Sequence, residues 1–211
     1  MDKNIEKRIF SLNKIELREE EDGTVIFEGL AAPYGERASI PETDPWFTEE
    51  YAPGAFSRSV REKQDAVLNI NHAGLPLARV GSGTLRLTDT SRGLECRAEL
   101  DAEDPDVKRI LPKIKRKDIS QMSCAFRVKK SSFDESTDVP HRTIEDVDLY
   151  DVSIVTEGAY KTTEASLSQR DRHIVERFYN RLSRDIDMKL RESALPHRAQ
   201  DEALREIQAI A

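Results

Sequence analysis

The alternation of apolar and polar positions places most of this chain in β-strands. Ile9 to Ile15 alternates imperfectly, with Phe10, Leu12 and Lys14 on one parity. Thr24 to Ala31 carries the β-formers Val25, Ile26 and Phe27 after an Asp22-Gly23 turn signal. Together these segments read as a hairpin with Glu19, Glu20 and Glu21 in its loop. Residues 32–54 are punctuated by Pro33, Gly35, Pro41, Pro45, Pro53 and Gly54 and read as loop. Phe56 to Arg61 reads as a short helix. Val67, Leu68 and Ile70 predict a strand that ends at His72, with Ala73-Gly74 and Pro76 as terminators.

Residues 78–100 read as a second hairpin. Val80, Leu85 and Leu87 precede the turn Asp89–Gly93, and Leu94, Cys96, Ala98 and Leu100 alternate after it. A short helix follows, with Asp104 as N-cap, Pro105 at the first helical position, and Val107, Ile110, Leu111 and Ile114 as its apolar stripe. Next come a strand through Ser123, a polar loop from Lys129 to Asp138, and a long strand from Arg142 to Thr156. From Asp171 to Arg191, Ile174, Phe178, Leu182, Ile186 and Leu190 recur every four positions, one apolar stripe on a charged helix. Ala194-Leu195-Pro196 ends it, and Asp201 to Ile210 leaves room for another short helix. This order predicts an α+β protein: a mainly antiparallel β-barrel surrounded by short helices, with a C-terminal amphipathic helix and no repeated βαβ units.

The chain has 211 residues, enough for one domain or one domain with an appendage. Its net charge of −7 argues against general affinity for nucleic acid. No apolar run is long enough for a membrane span. Met1 to Arg8 lacks the apolar core of a secretion signal. Cys96 and Cys124 have no metal-binding spacing and read as buried thiols in a reducing compartment. Gly81-Ser82-Gly83 lacks the rest of a nucleotide-cradling loop, so no cofactor or metal is expected.

The candidate chemistry lies in two frames, Asn69-Ile70-Asn71-His72 and Ile119-Ser120-Gln121-Met122-Ser123-Cys124-Ala125-Phe126. A neutral imidazole can take the proton of a serine hydroxyl and return it to a leaving amine. His72 and Ser123 stand fifty-one positions apart, so only a folded sheet could join them. Such a pair needs an orienting group. Asp151 ranks first because it lies deepest in the apolar part of the last strand, where a carboxylate needs a partner. Glu145 and Asp148 follow. Glu145 shares the parity of Asp151, whereas Asp148 faces the other way unless a bulge intervenes. His141 is a further candidate beside Pro140. Backbone N–H groups near Ser123, and Arg127 on the same parity, are candidates for stabilising an oxyanion. Cys124 is a better intrinsic nucleophile than serine, but alternation turns it to the opposite face.

These frames resemble the prohead proteases of tailed bacteriophages, which share a fold with herpesvirus assemblins. The similar segments run in order: Phe27–Gly35, Tyr51–Phe56 (Tyr-Ala-Pro-Gly-Ala-Phe), Asn71-His72, Gly93-Leu94, Met122–Phe126 and Leu149–Val155. The resemblance covers roughly residues 8–165. It implies a serine endopeptidase with His72 as general base, Ser123 as nucleophile and Asp151 where the family often has glutamate. Glu157–Tyr160 departs from the family's usual strand exit. The resemblance further implies a catalytic domain over 1–165 and a charged helical extension over 166–211 for assembly or targeting. Its substrates would be scaffold or the scaffolding segment of the capsid protein, and the protease itself. It would act inside the immature capsid in the host cytoplasm, or in a bacterial cytoplasm if prophage-encoded, as a homodimer or an assembly within the prohead. A non-enzymatic scaffold or capsid-assembly module on the same fold is the rival reading. An esterase is disfavoured by the absence of a Gly-x-Ser-x-Gly elbow.

Overall fold

A computed structural model describes residues 5–10, 15–21, 23–40, 46–137, 139–156 and 171–189. Among the described residues, eleven strands and two helices follow one another in its larger unit. They are β1 (Glu6–Phe10), β2 (Glu16–Glu19), β3 (Thr24–Pro33), β4 (Ala38–Ile40), β5 (Phe47–Tyr51), α1 (Ser57–Arg61), β6 (Val67–Ile70), β7 (Ala73–Arg79), β8 (Leu85–Thr90), β9 (Gly93–Asp101), α2 (Pro105–Lys115), β10 (Gln121–Asp134) and β11 (His141–Val155). A helix over 171–189, α3, belongs to a second compact unit, Gln169–Ala211. The strand exit at 157–160, the last two residues of the helix expected to Arg191, the Ala194–Pro196 stop and the helix expected over 201–210 lie outside the described residues.

The protein is of mixed α+β class, rich in sheet and poor in helix. Its described strands form two sheets and no closed barrel. One sheet has seven strands, running β1-β10-β11-β5-β4, with β6 joined to β11 and β7 to β6. The other has four, in the order β2-β3-β9-β8. Closure requires every strand edge to be paired, whereas β2 and β8 end the smaller sheet. The β11 pairings with β5 and with β6 are parallel, so the sheet is mixed. Phe27, Leu94, Met122, Phe126, Val147 and Val152 are all fully buried in one core. Sulfur meets sulfur there, with Cys96 Sγ 3.9 Å from Met122 Sδ.

Several expectations from the sequence change. The early hairpin is β2–β3, whereas β1 crosses to the other sheet and pairs with β10. Two short strands, β4 and β5, lie in the stretch expected to be loop. Ala73–Pro76 does not terminate a strand but begins β7, a sheet edge where the missing N–H of Pro76 costs nothing. β10 continues to Asp134, well into the expected polar loop. The expectation for α2 holds: Asp104 caps its N-terminus, and Val107, Ile110, Leu111 and Ile114 are buried. In α3, Val175 and Phe178 are buried, but Leu182 and Ile186 are exposed, so the expected stripe is covered only in part.

The side chains that β1 turns inward are charged, not apolar. Glu6 and Arg8 are buried, as are Glu49 on β5 and Arg142 on β11. Arg8 Nε donates to Glu49 Oε1 at 2.6 Å, and Arg8 Nη2 donates to Glu6 Oε2 at 2.5 Å. Arg142 Nη1 donates to Glu6 Oε2 and to Glu49 Oε2, both at 3.0 Å. Burial works against the Arg8 charge, but Glu49 and Glu6 outweigh it and hold the guanidinium protonated. Burial likewise opposes the Glu49 carboxylate, and Arg8 and Arg142 overcome it, so its pKa lies below the ordinary glutamate range.

Two predictions follow from the packing. Gly93 sits at φ +138°, and a Cβ there would lie 2.0 Å from the carbonyl oxygen of Ala32 on the paired strand. Gly93→Ala should lower stability by at least about 2 kcal/mol, read as an earlier denaturant midpoint at unchanged slope. The depressed pKa of Glu49 means that its contribution is complete above the ordinary glutamate pKa and is lost as pH falls through the folded-state value. Glu49→Gln should cost about 3–5 kcal/mol at neutral pH and flatten the acid limb of a stability–pH curve followed by circular dichroism. An unchanged acid limb would contradict this.

Candidate active site

β6 and β7 form a tight hairpin whose two-residue turn is Asn71-His72. Ile70 pairs with Ala73 across it. Both turn residues are left-handed, with φ +53° for Asn71 and +57° for His72, the signature of a type I′ turn. Asparagine and histidine tolerate this region better than most residues. The asparagine also ties the turn down: Asn71 Nδ2 donates to Thr156 Oγ1 at 2.8 Å, and Thr156 N donates to Asn71 Oδ1 at 2.9 Å. The imidazole is thereby held over the end of β11.

Ser123 lies near the start of β10, flanked by β1 and β11. Its register partners are Ile9 and Ser153. Two residues along, Ala125 faces Asp151. Ser123, Ser153 and Asp151 therefore share one face of the sheet, and the β6–β7 turn brings His72 onto it. His72 Nε2 is 2.6 Å from Ser123 Oγ, and His72 Nδ1 is 2.6 Å from Asp151 Oδ1. The hydroxyl of Ser123 also lies 2.9 Å from the carbonyl oxygen of Arg8. Ser123 is wholly buried, and the side chains of His72 and Asp151 are only 8% and 13% exposed. In so dry a setting each hydrogen bond is stronger than in water.

The other candidates are held elsewhere. A register shift between Ala125 and Phe126 leaves Tyr150 as an extra residue on β11, so that Leu149 faces Phe126 and Asp148 faces Arg127. The bulge thus turns Asp148 to the Ser123 face. Its carboxylate is nonetheless taken by Arg58 at 2.6 Å and Gln64 at 3.0 Å. Burial tends to raise its pKa, but these two bonds outweigh it and hold the value below the ordinary range. Glu145 pairs with Lys130 at 2.5 Å. His141 Nδ1 lies 2.8 Å from Thr48 Oγ1, at the β5 end of β11. Arg127 shares the face of Ser123, with its guanidinium carbon 5.7 Å from the centre of the Tyr150 ring.

Cys124 points into the core, with Tyr51 Oη 3.4 Å from its sulfur. Burial pushes its thiol up to about 12, far from a reactive thiolate. Cys96 is likewise buried and raised to about 12. A cleft of about 660 Å³ opens on β2, β3, β8 and β9, and none of His72, Ser123 and Asp151 lines it. Among the described residues no helix is long and apolar enough to cross a membrane.

One residue of the site enters the sequence reading only within the Leu149–Val155 segment, with no role assigned to it. Ser153 is fully buried and touches both His72 and Asp151. Its parity with Asp151 was legible, but its place opposite Ser123 depends on strand register.

Comparison with known proteins gives the chain a family. The model of the caudovirus prohead serine proteases matches residues 13–178. No curated protein matches the chain. Among solved structures it is similar to the capsid assembly protease of bacteriophage T4. Identity is 11%, coverage is 71% of this chain and 98% of that one, and the TM-score is 0.42. With the family model spanning most of its length, the chain belongs to the caudovirus prohead serine protease family.

Proposed function

We propose that this protein is a serine endopeptidase of capsid maturation in which Ser123 attacks, His72 is the general base and Asp151 orients the imidazole. The observation that carries this reading is the unbroken chain from Ser123 Oγ to His72 Nε2 and from His72 Nδ1 to Asp151 Oδ1, each link 2.6 Å. A proton on Nδ1 directed at the carboxylate leaves Nε2 free to accept the serine proton. Oγ then attacks the peptide carbonyl carbon while Nε2 takes its proton. The imidazolium so formed faces the Asp151 carboxylate. Collapse of the tetrahedral intermediate breaks the C–N bond, and the proton on Nε2 passes to the leaving amine. Water repeats the sequence on the acyl-enzyme and releases Ser123.

The substrates of this reading are the scaffold, or the scaffolding segment of the capsid protein, and the protease itself. It acts inside the immature shell, and residues 166–211 serve assembly or targeting. Aspartate in place of the family's usual glutamate shortens the third side chain by one methylene. The direct 2.6 Å contact with His72 supports Asp151 in that role without an intervening group.

Ser123→Ala should leave the circular dichroism spectrum intact and abolish cleavage of co-expressed capsid and scaffold proteins, read by mass spectrometry of assembled proheads. An unchanged fragment pattern would refute the serine assignment and favour a binding module. Asp151→Asn preserves shape but turns the imidazole to the wrong tautomer. It should lower kcat by about 10³- to 10⁴-fold with KM little altered. Deleting residues 166–211 should reduce the amount of protease recovered in proheads, measured by immunoblot.

A further inference from the structure

We infer that Ser153 is a positioning residue, a hydroxyl that fixes the proton of His72 on Nδ1 by committing its own proton to Asp151. The inference rests on the serine peptidase reading above and adds a residue to it. Ser153 is fully buried and lies directly across the ladder from Ser123. Its oxygen accepts from the backbone N–H of His72 at 3.1 Å and donates to Asp151 Oδ1 at 2.8 Å. It also lies 3.2 Å from His72 Nδ1.

Donor and acceptor counting sets the direction of these bonds. A hydroxyl has one proton. The backbone amide of His72 can only donate, so it takes a lone pair of Ser153. The remaining choice for the Ser153 proton is Asp151 Oδ1 or His72 Nδ1. If the proton went to Nδ1, that nitrogen would be bare, and its lone pair would face a carboxylate oxygen at 2.6 Å. Donation to Asp151 removes the conflict. The carboxylate oxygen then receives two protons in hydrogen bonds, one from Ser153 and one from Nδ1. Nε2 is left bare toward Ser123.

The same hydroxyl anchors the histidine backbone. His72 sits at φ +57°, where a residue with a side chain needs support from its surroundings. The bond from its N–H to Ser153 ties the turn to β11, beside the Asn71–Thr156 pair. Ser153 thus sets both the place of the ring and the site of its proton. It touches no reacting atom and acts through His72 and Asp151.

The test uses the full chain and a fluorophosphonate probe, which needs no knowledge of the natural substrate. Ser123 Oγ forms a bond to phosphorus, fluoride leaves, and the serine proton passes to His72. The second readout is the proton resonance of His72 Nδ1–H, far downfield when that hydrogen faces a carboxylate. Ser153→Ala adds no atoms to a closed site. It should label about 10- to 100-fold more slowly than wild type, the loss expected for one hydrogen bond to a charged group. Its Nδ1–H resonance should leave the wild-type position. Ser153→Cys, close in shape and a weaker donor, should give an intermediate rate, and it carries the test if the alanine variant does not fold. Wild-type labelling in Ser153→Ala with an unmoved resonance would overturn the inference alone, as would slow labelling with an unmoved resonance. Labelling of Ser123→Ala at the wild-type rate would instead overturn the serine peptidase reading.

Discussion

The antiparallel ladder between β10 and β11 is the constraint on which the rest depends. Fourteen residues of one strand and fifteen of the other lie side by side, and their register decides which side chains meet. Ser123 faces Ser153, and Ala125 faces Asp151. A slip of one residue would move the whole set to the opposite face of the sheet. Tyr150 is the device that lets apolar and polar demands coexist. As an extra residue on β11, it keeps Leu149 in the core opposite Phe126 while Asp151 and Asp148 both lie on the face of Ser123. β6 then lies parallel to the C-terminal half of β11 and carries the Asn71-His72 turn past Ile154 to the strand's end, from where the imidazole reaches back to Asp151.

Burial gives this face its chemical character. The imidazole, the hydroxyl and the carboxylate are almost entirely shielded, so they interact chiefly with one another. Other carboxylates on the same strand are neutralised by Arg58 and Lys130. Asp151 is distinguished from Asp148 and Glu145 by its neighbours, not by its type: it meets a histidine and a serine where the others meet a guanidinium and an ammonium.

Much of this was legible in the sequence because apolar periodicity is an honest report of burial. The alternation around Leu94–Leu100, the stripe of α2 and the apolar run after Val147 all correspond to core. The frames around His72 and Ser123 were legible as motifs, and Asp151 stood out as a carboxylate in apolar company. What escaped has physical reasons. β1 was attached to the wrong partner because its inward side chains are Glu6 and Arg8, which periodicity scores as surface. β5 was missed because the buried Glu49 interrupts its apolar count. β7 was missed because Pro76 signals termination everywhere except at a sheet edge. Ser153 stood in the Leu149–Val155 segment without a role because its place opposite Ser123 comes from register, and register is a long-range property.

The buried quartet of Glu6, Arg8, Glu49 and Arg142 has a consequence for how such a chain can change. Loss of any single member strands an opposite charge in a dry interior, whereas replacing all four with well-packed apolar residues can be neutral. The four positions are therefore energetically coupled despite lying up to 136 residues apart. A chimera that grafts the N-terminal segment of a relative onto this chain would have to import the matching residues at 49 and 142 as well. A change at one of these positions costs least when the others change with it.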